Sequence, residues 1–356
     1  MKIVNKQNIH FSPYPVPERR HGLQLDFAGA ANRSEAGSPE RRVAERYRAA
    51  WQGVRARKCV RVETIAKDMI YVRLRGDRTL FERTGLSAAF EARDTPQHIQ
   101  ELAYVVIDGR RYSGKVVTDR DGALINPVQL SWEQALALAR HGTGSFVCIN
   151  GGFFNHKRMA CEDAPENASI GKMVSDGLER PGLPLPQDYA DDYRLLEFED
   201  GSCIEVAPRL SESGKPVVTD ETLADPKYDI ERTDPAWRPD ITPGRLQHAV
   251  SRHPRAAISQ PASSGAGKTR LIVGTAWDRD NNPDAGYSLT QWAQIVSRLD
   301  KLSTPPNSST NLDGGGSLAL VAMTASGERI CVAQKGGGRP VANLIAFVER
   351  PINAGG

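Results

Sequence analysis

No stretch of the 356 residues approaches the roughly 18 consecutive apolar residues that a membrane-crossing helix requires, so a helical transmembrane span is excluded. The opening MKIVNKQNIHFSPYPVPERR also lacks the apolar core of about 7–15 residues that marks a secretory signal. A cytoplasmic protein is therefore expected, with export by a route that reads no such signal left open. Cysteine is sparse. Cys59, Cys148, Cys161, Cys203 and Cys331 are odd in number, far apart and free of zinc-ligand spacing, which points to reduced thiols rather than a disulfide framework or a structural metal. No metal site or cofactor is expected on this basis, although a divalent ion at a phosphate stays open. Hydrophobic residues at 39% and charged residues at 25% fit a folded protein with a sizeable core.

What is present is length and an uneven charge. A chain of 356 residues accommodates two or three domains, or one large domain with insertions. Residues 1–100 carry 19 Lys and Arg against 11 Asp and Glu, whereas residues 161–240 carry 8 against 20. A basic end and an acidic middle either steer a partner or simply solvate their faces. Residues 1–38 lack sustained periodicity and read as an extended arm. Ser38-Pro39-Glu40 then has the pattern of a helix start, with a capping hydroxyl, proline at the first helical position and an acid in the first turn. Val43, Tyr47, Trp51 and Val54 follow on one face and arginines on the rest. Such a helix more often docks on its own protein than on nucleic acid, which is not expected as a partner.

Further along, Met69–Leu74 and Leu102–Ile107 read as strands, the second closed by an Asp108-Gly109 turn. Ser131 opens a second helix, Phe146–Ile149 is a short buried strand, and Tyr193–Phe198 with Cys203–Val206 forms a hairpin around Asp200-Gly201. Strands are expected at Ala256–Ser259, Leu271–Trp277, Leu318–Met323, Ile330–Ala333 and Val341–Val348, and a helix capped by Ser288. The expected class is α+β: mixed β-sheets flanked by a few helices. Residues 1–130 form a basic N-terminal extension, whose β-rich part is free to join the main sheet. Residues 131–356 form the main domain, with 161–247 as an acidic insertion or lid.

Ser264–Thr269 imitates the end of a phosphate-binding P-loop, but Ala262 stands where the pattern needs glycine and the following Arg270–Trp277 is β-like, so a tight turn explains it better. Three other segments carry more. Asn150-Gly151-Gly152-Phe153-Phe154, Asn311-Leu312-Asp313-Gly314-Gly315-Gly316-Ser317 and Gly336-Gly337-Gly338-Arg339-Pro340-Val341-Ala342-Asn343 each place glycines beside Asn, Asp or Arg at the edge of an apolar run. Consecutive glycines let backbone approach a ligand and aim N–H groups at an anion, or else merely make tight turns.

From about Ser131 onward the chain resembles the phosphodiester glycosidase family, the domain of N-acetylglucosamine-1-phosphodiester α-N-acetylglucosaminidase and its bacterial relatives. The resemblance rests on NGGFF, Gly171–Gly177, His253–Ile258, Trp277-Asp278, the Ser288–Leu299 helix, NLDGGGS and RPVAN, in that order. It implies a hydrolase that cleaves between a sugar's anomeric carbon and a phosphate or phosphodiester. Such chemistry needs little protonation of the leaving phosphate and much stabilisation of charge at the sugar and the departing group. Asp313 and Asp278 are the candidate carboxylates for nucleophile or base, and His156 a candidate general acid. Arg255 and Arg339 are suited to bidentate contact with phosphate. Gly151, Gly152, Gly314 and Gly315 supply an amide cradle, and Asn150, Ser317 and Asn343 complete the candidate substrate contacts. Each has a structural alternative: Arg255 pairing with the acidic stretch, Asp313 capping its turn, and the two asparagines holding loops. A binding module for sugar phosphates or polyanions, with catalysis lost and acting as an effector, is the competing function. Asp313 separates the two. The oligomeric state is not read from the sequence.

Overall fold

The computed structural model describes residues 38–50, 60–76, 100–139, 144–156, 167–229, 244–246, 248–262, 267–276, 286–333 and 338–350. Residues Pro39–Gly356 form one unit, built as four layers. Two antiparallel sheets pack face to face, and helices cover both outer faces.

The first sheet has eight strands in the order β1 (Val60–Ala66), β2 (Met69–Gly76), β3 (Gln100–Asp108), β15 (Lys268–Ala276), β14 (Arg255–Gln260), β16 (Ser308–Leu312), β12 (Arg209–Glu212) and β13 (Lys215–Pro216). The second orders β18 (Arg329–Ala333), β17 (Ala319–Thr324), β5 (Ser145–Asn150), β19 (Leu344–Glu349) and β4 (Tyr112–Val117). Strands buried on both faces read as near-continuous apolar runs, and β3 and β5 are buried along their whole length. Between the sheets, Met69, Tyr71, Val105 and Val273 of the first meet Val147, Ile149, Leu320 and Ile345 of the second. Outside the first sheet, Ala44 of α1 (Pro39–Ala50) and Trp292, Ile295 and Val296 of α3 (Leu289–Asp300) cover Leu102 and Ile272. Outside the second, Ala135 and Ala139 of α2 (Trp132–Ala139) cover Phe146, Cys148 and Val321.

The local signals held. Both Ser131 and Ser288 form capping boxes. The Ser131 hydroxyl accepts the Gln134 N–H at 3.2 Å while the Gln134 amide oxygen accepts the Ser131 N–H at 2.8 Å. Ser288 and Gln291 repeat the exchange at 3.2 and 3.0 Å. Helix α1 begins at Pro39 and buries Glu40, whose carboxylate meets the Arg270 guanidinium at 2.8 Å with both side chains fully buried. Lys268 and Thr269 lie in β15, not in a helix, so the phosphate-loop reading fails on geometry. The Asp108 turn does not close a simple hairpin: it passes the chain from β3 in one sheet to β4 in the other.

The α+β class with few helices holds, while parallel pairing among the described residues is limited to β6 (Ser169–Ile170) with β9 (Gly182–Leu183). The acidic stretch is built into the layers. It supplies β12 and β13 to the eight-stranded sheet. It also supplies a small sheet of β10 (Arg194–Glu197), β11 (Cys203–Val206), β7 (Met173–Ser175) and β8 (Leu178–Glu179), whose Leu196, Ile204 and Met173 join the inter-sheet core. Strands β1 to β4, from the first 130 residues, likewise pair within the two main sheets. No helix among the described residues is long and apolar enough to cross a membrane.

Candidate functional site

The two face-to-face sheets are bridged at one end by the glycine-rich segments. Strand β16 pairs with β14 through Ala256 and Leu312, so Leu312 enters the inter-sheet core and Asp313 emerges at the sheet end. Strand β5 ends at Asn150, opposite Leu344 of β19. Backbone then crosses between the sheets: the Asp313 N–H donates to the Gly151 carbonyl at 2.9 Å.

Asn150 clamps the loop that carries Asp313. Its side-chain amide donates to the Asp313 carbonyl, and its oxygen accepts the Ala319 N–H at 3.0 Å, so one fully buried carboxamide ties both ends of the 313–319 loop to β5. Asn343 does the same for NGGFF. Its side-chain oxygen accepts the Gly152 N–H at 2.8 Å, its NH2 donates to Ser169 Oγ at 2.9 Å, and its backbone carbonyl accepts the Gly151 N–H at 3.2 Å. Of the two roles open to these asparagines, loop holding is the one their hydrogen bonds fulfil.

The amide cradle expected of the glycines is not formed. Gly151 and Gly152 donate to Asn343, Gly314 donates to its neighbour Asp313 Oδ1 at 2.9 Å, and Gly315 donates to the Pro254 carbonyl at 2.9 Å. These glycines serve close approach instead. A Cβ on Gly151 would lie 2.1 Å from Asn343 Oδ1, and one on Gly314 would lie 2.6 Å from the Pro254 carbonyl oxygen.

Arg255 is also reassigned. Its Nε donates to the Tyr287 carbonyl at 2.9 Å, and one terminal nitrogen donates to His248 and Ser251 carbonyls at 2.6 and 2.8 Å. Buried at 7% exposure, it braces the backbone around its own strand rather than presenting a fork to phosphate. Arg339 keeps its guanidinium part-exposed at the sheet end. Its Nε donates to Ser317 Oγ at 2.8 Å and its guanidinium lies over the Phe154 ring at 5.6 Å. One terminal nitrogen is 3.7 Å from Asp313 Oδ2, and the side chain keeps 35% of its exposure.

Burial pushes the Asp313 carboxyl above its ordinary range, against the opposing pull of Arg339, the Ser317 hydroxyl and the Gly314 N–H. Its loop donors favour the ionised form, and desolvation outweighs them. His156 is exposed, with its ring 5.8 Å from that of Phe154. Asp278 lies outside the described residues; β15 ends two positions before it, at Ala276.

Sequence reasoning missed Tyr193. This tyrosine comes from the acidic stretch, packs edge-on to Phe153 at 6.4 Å and donates to the Gly244 carbonyl at 2.7 Å. Burial, with the charges of Asp313 and Glu205 adding to it, drives its hydroxyl far above the ordinary value, so it stays a neutral donor. No local spacing connects position 193 to position 313. Among the described residues no group of three or more His, Cys, Asp or Glu is placed to hold a metal ion.

A family model described as phosphodiester glycosidase matches residues 143–348. The matched span begins just before β5 and ends within β19, and so takes in Asn150, Asp313, Arg339 and Asn343. Among solved structures, the chain is similar to the zebrafish N-acetylglucosamine-1-phosphodiester α-N-acetylglucosaminidase catalytic domain, auto-inhibited by its pro-peptide, at 14% identity and a TM-score of 0.46, covering 86% of this chain and 93% of that one. It is also similar to a hypothetical protein from Synechocystis at 13% identity and a TM-score of 0.42, covering 81% of this chain and 64% of that one. No curated protein matches the sequence.

Proposed function

The chain belongs to the phosphodiester glycosidase family, and from that premise we propose that it hydrolyses the bond between a sugar's anomeric carbon and a phosphate or phosphodiester group. One observation carries this reading: a largely buried carboxylate, Asp313, and a part-exposed guanidinium, Arg339, stand 3.7 Å apart at the seam of the two sheets. An anionic phosphate seated on Arg339 brings the carbon on its far side to Asp313.

In this reading the Arg339 guanidinium holds the phosphate oxygens and takes up the negative charge that grows on them as the bond breaks. Ser317 and the Phe154 ring keep the guanidinium aimed. Because phosphate is a weak base, the departing oxygen needs no strong proton donor. Asp313 meets the developing positive charge at the anomeric carbon, either by attacking it or by taking a proton from water. Its raised pKa makes it a stronger base and nucleophile than an exposed aspartate. Asn150 keeps Asp313 in place by donating its side-chain NH2 to the Asp313 backbone carbonyl. Asp278 is the proposed second carboxylate, and its distance from Asp313 would set the stereochemistry, about 5 Å for retention and about 6.5–9.5 Å for inversion.

The test is a panel of sugar-1-phosphodiesters, nucleotide sugars and sugar 1-phosphates incubated with the full chain, with products identified by mass. Release of free sugar with the phosphate left on the aglycone supports the reading. Binding without turnover by the unaltered chain, unchanged in Asp313→Asn, would make it a binding module.

A further inference from the structure

We propose that a second cleft, walled by the 118–130 loop and α2, is a binding site for neutral hexose units of a glycan, separate from the Asp313 seam. The cleft encloses about 730 Å³, within the range of roughly 300–1,000 Å³ that small-molecule sites occupy. Ile125, Leu130 and Leu138 give it an apolar floor, with Leu124 at the rim 37% exposed.

Its polar groups are oriented, and half of each is unused. Asp119 Oδ1 accepts the Asp121 N–H at 2.9 Å, Asn126 Oδ1 accepts the Val128 N–H at 3.1 Å, and Gln134 Oε1 accepts the Ser131 N–H at 2.8 Å. Each bond fixes one end of its side chain. The second Asp119 oxygen and the NH2 groups of Asn126 and Gln134 have no protein partner among the described residues. At the same wall the Thr118 hydroxyl is buried without a partner. Fixed acceptors and fixed amide donors over an apolar floor match a sugar ring, whose hydroxyls both give and accept while its C–H face is apolar.

Charge selects the class. Asp119, Asp121 and Asp176 line the cleft with one cation, Arg120, and Lys115 stands 3.9 Å from Asp176 behind it. An anion is disfavoured here, which sends phosphate to Arg339 and leaves the neutral part of a glycan for this cleft. The two places are joined. Ile125 and Val341 exchange a pair of backbone hydrogen bonds at 2.8 Å, and Val341 lies two residues from Arg339. Arg329 staples the same loop through the Leu130 carbonyl at 2.6 Å.

The site does not depend on hydrolysis at Asp313, so binding is the readout. Maltotriose, cellotriose, chitotriose and glucose 1-phosphate are titrated into the full chain by saturation-transfer NMR and calorimetry. At least one neutral trisaccharide should bind the unaltered chain and Asp313→Asn equally. Binding should weaken about tenfold or more in Ala137→Trp, which fills the cleft from an exposed helix position that lines it, and in Gln129→Ala, which removes an exposed amide from the same lining. Loss of the trisaccharide in Asp313→Asn, equal binding to both cleft variants, or no binding of any neutral trisaccharide would overturn the proposal.

Discussion

Replacing Asp313 by Asn separates charge from shape at the seam. The amide keeps an oxygen to accept the Gly314 N–H, now at 2.9 Å, and Asn150 still holds the backbone carbonyl of position 313. Arg339 stays anchored by Ser317 Oγ and by its own N–H to the Gly316 carbonyl at 2.8 Å. Only the negative charge is lost. Removing one preorganised electrostatic contact costs about 10²–10³ in turnover, so kcat on a sugar-1-phosphodiester should fall by about that factor while KM changes little. Stability carries the matching sign. Burial raises the folded pKa of Asp313 above its ordinary 3.8, so its contribution to stability is fully present below that value and is lost as pH rises through the folded pKa. Asp313→Asn should therefore unfold at the same temperature as the unaltered chain, or a higher one, at pH 7. Any advantage should vanish below about pH 4. Product release followed by ion chromatography, beside thermal scans at both pH values, measures both effects. Normal turnover, or a lower melting temperature at pH 7 alongside lost activity, would refute the assignment of Asp313 as a strained functional carboxylate.

Other positions test the scaffold. Gly151→Ala drives a methyl into Asn343 Oδ1, which Ser169 and the Gly152 N–H hold in place, and should cost about 2–5 kcal/mol in urea unfolding. Gly177→Ala, at φ +74° with open space around it, should cost only about 1–2 kcal/mol. The two arginines should part company: Arg339→Lys should cut turnover by about tenfold or more with unchanged melting, because the planar fork is lost. Arg255→Lys should instead lower stability by about 1.5–3 kcal/mol through its lost carbonyl contacts. Glu40→Gln breaks one side of a fully buried ion pair with Arg270 and should cost about 3–5 kcal/mol, read by denaturant midpoint.

The features legible in the sequence were those encoded within a few residues. Ser131 with Gln134 and Ser288 with Gln291 announce helix starts because both halves of a capping box lie on one turn. The β-like run after Thr269 was enough to reject a phosphate loop. The glycine clusters come together at one end of the sheets, where the amides of Gly151, Gly152, Gly314 and Gly315 bond within the protein. Gly152 meets Asn343 across 191 positions and Asn150 meets Asp313 across 163, and no local pattern says which amide will be consumed by a distant partner. The same blindness hid Arg255, whose carbonyl acceptors depend on how the 248–254 turn and Tyr287 come to rest around β14. Within the acidic stretch Cys203–Val206 was legible as one arm of a hairpin, whereas β12 at Arg209–Glu212 was not, because its register is set by the distant Ser309 and Thr310 of β16.

The seam gives its two charged groups unequal freedom, and that asymmetry suits the proposed reaction. Asp313 is fixed between the sheets: β16 of the first leads straight into it, and the end of β5 in the second holds its N–H through Gly151, its carbonyl through Asn150, and the far end of its loop through Asn150 and Ala319. Moving the carboxylate would break hydrogen bonds buried between layers, so its position is paid for in folding rather than at each turnover. Arg339 is held more loosely, by one hydroxyl, one backbone bond and a ring face, and keeps a third of its exposure. In the proposed reaction a phosphate carrying a bulky aglycone would enter and leave past this residue, which would gain from some freedom. The charge that meets the sugar must not move as bonds change. A fixed carboxylate and an adjustable cation, 3.7 Å apart, satisfy both needs from one seam.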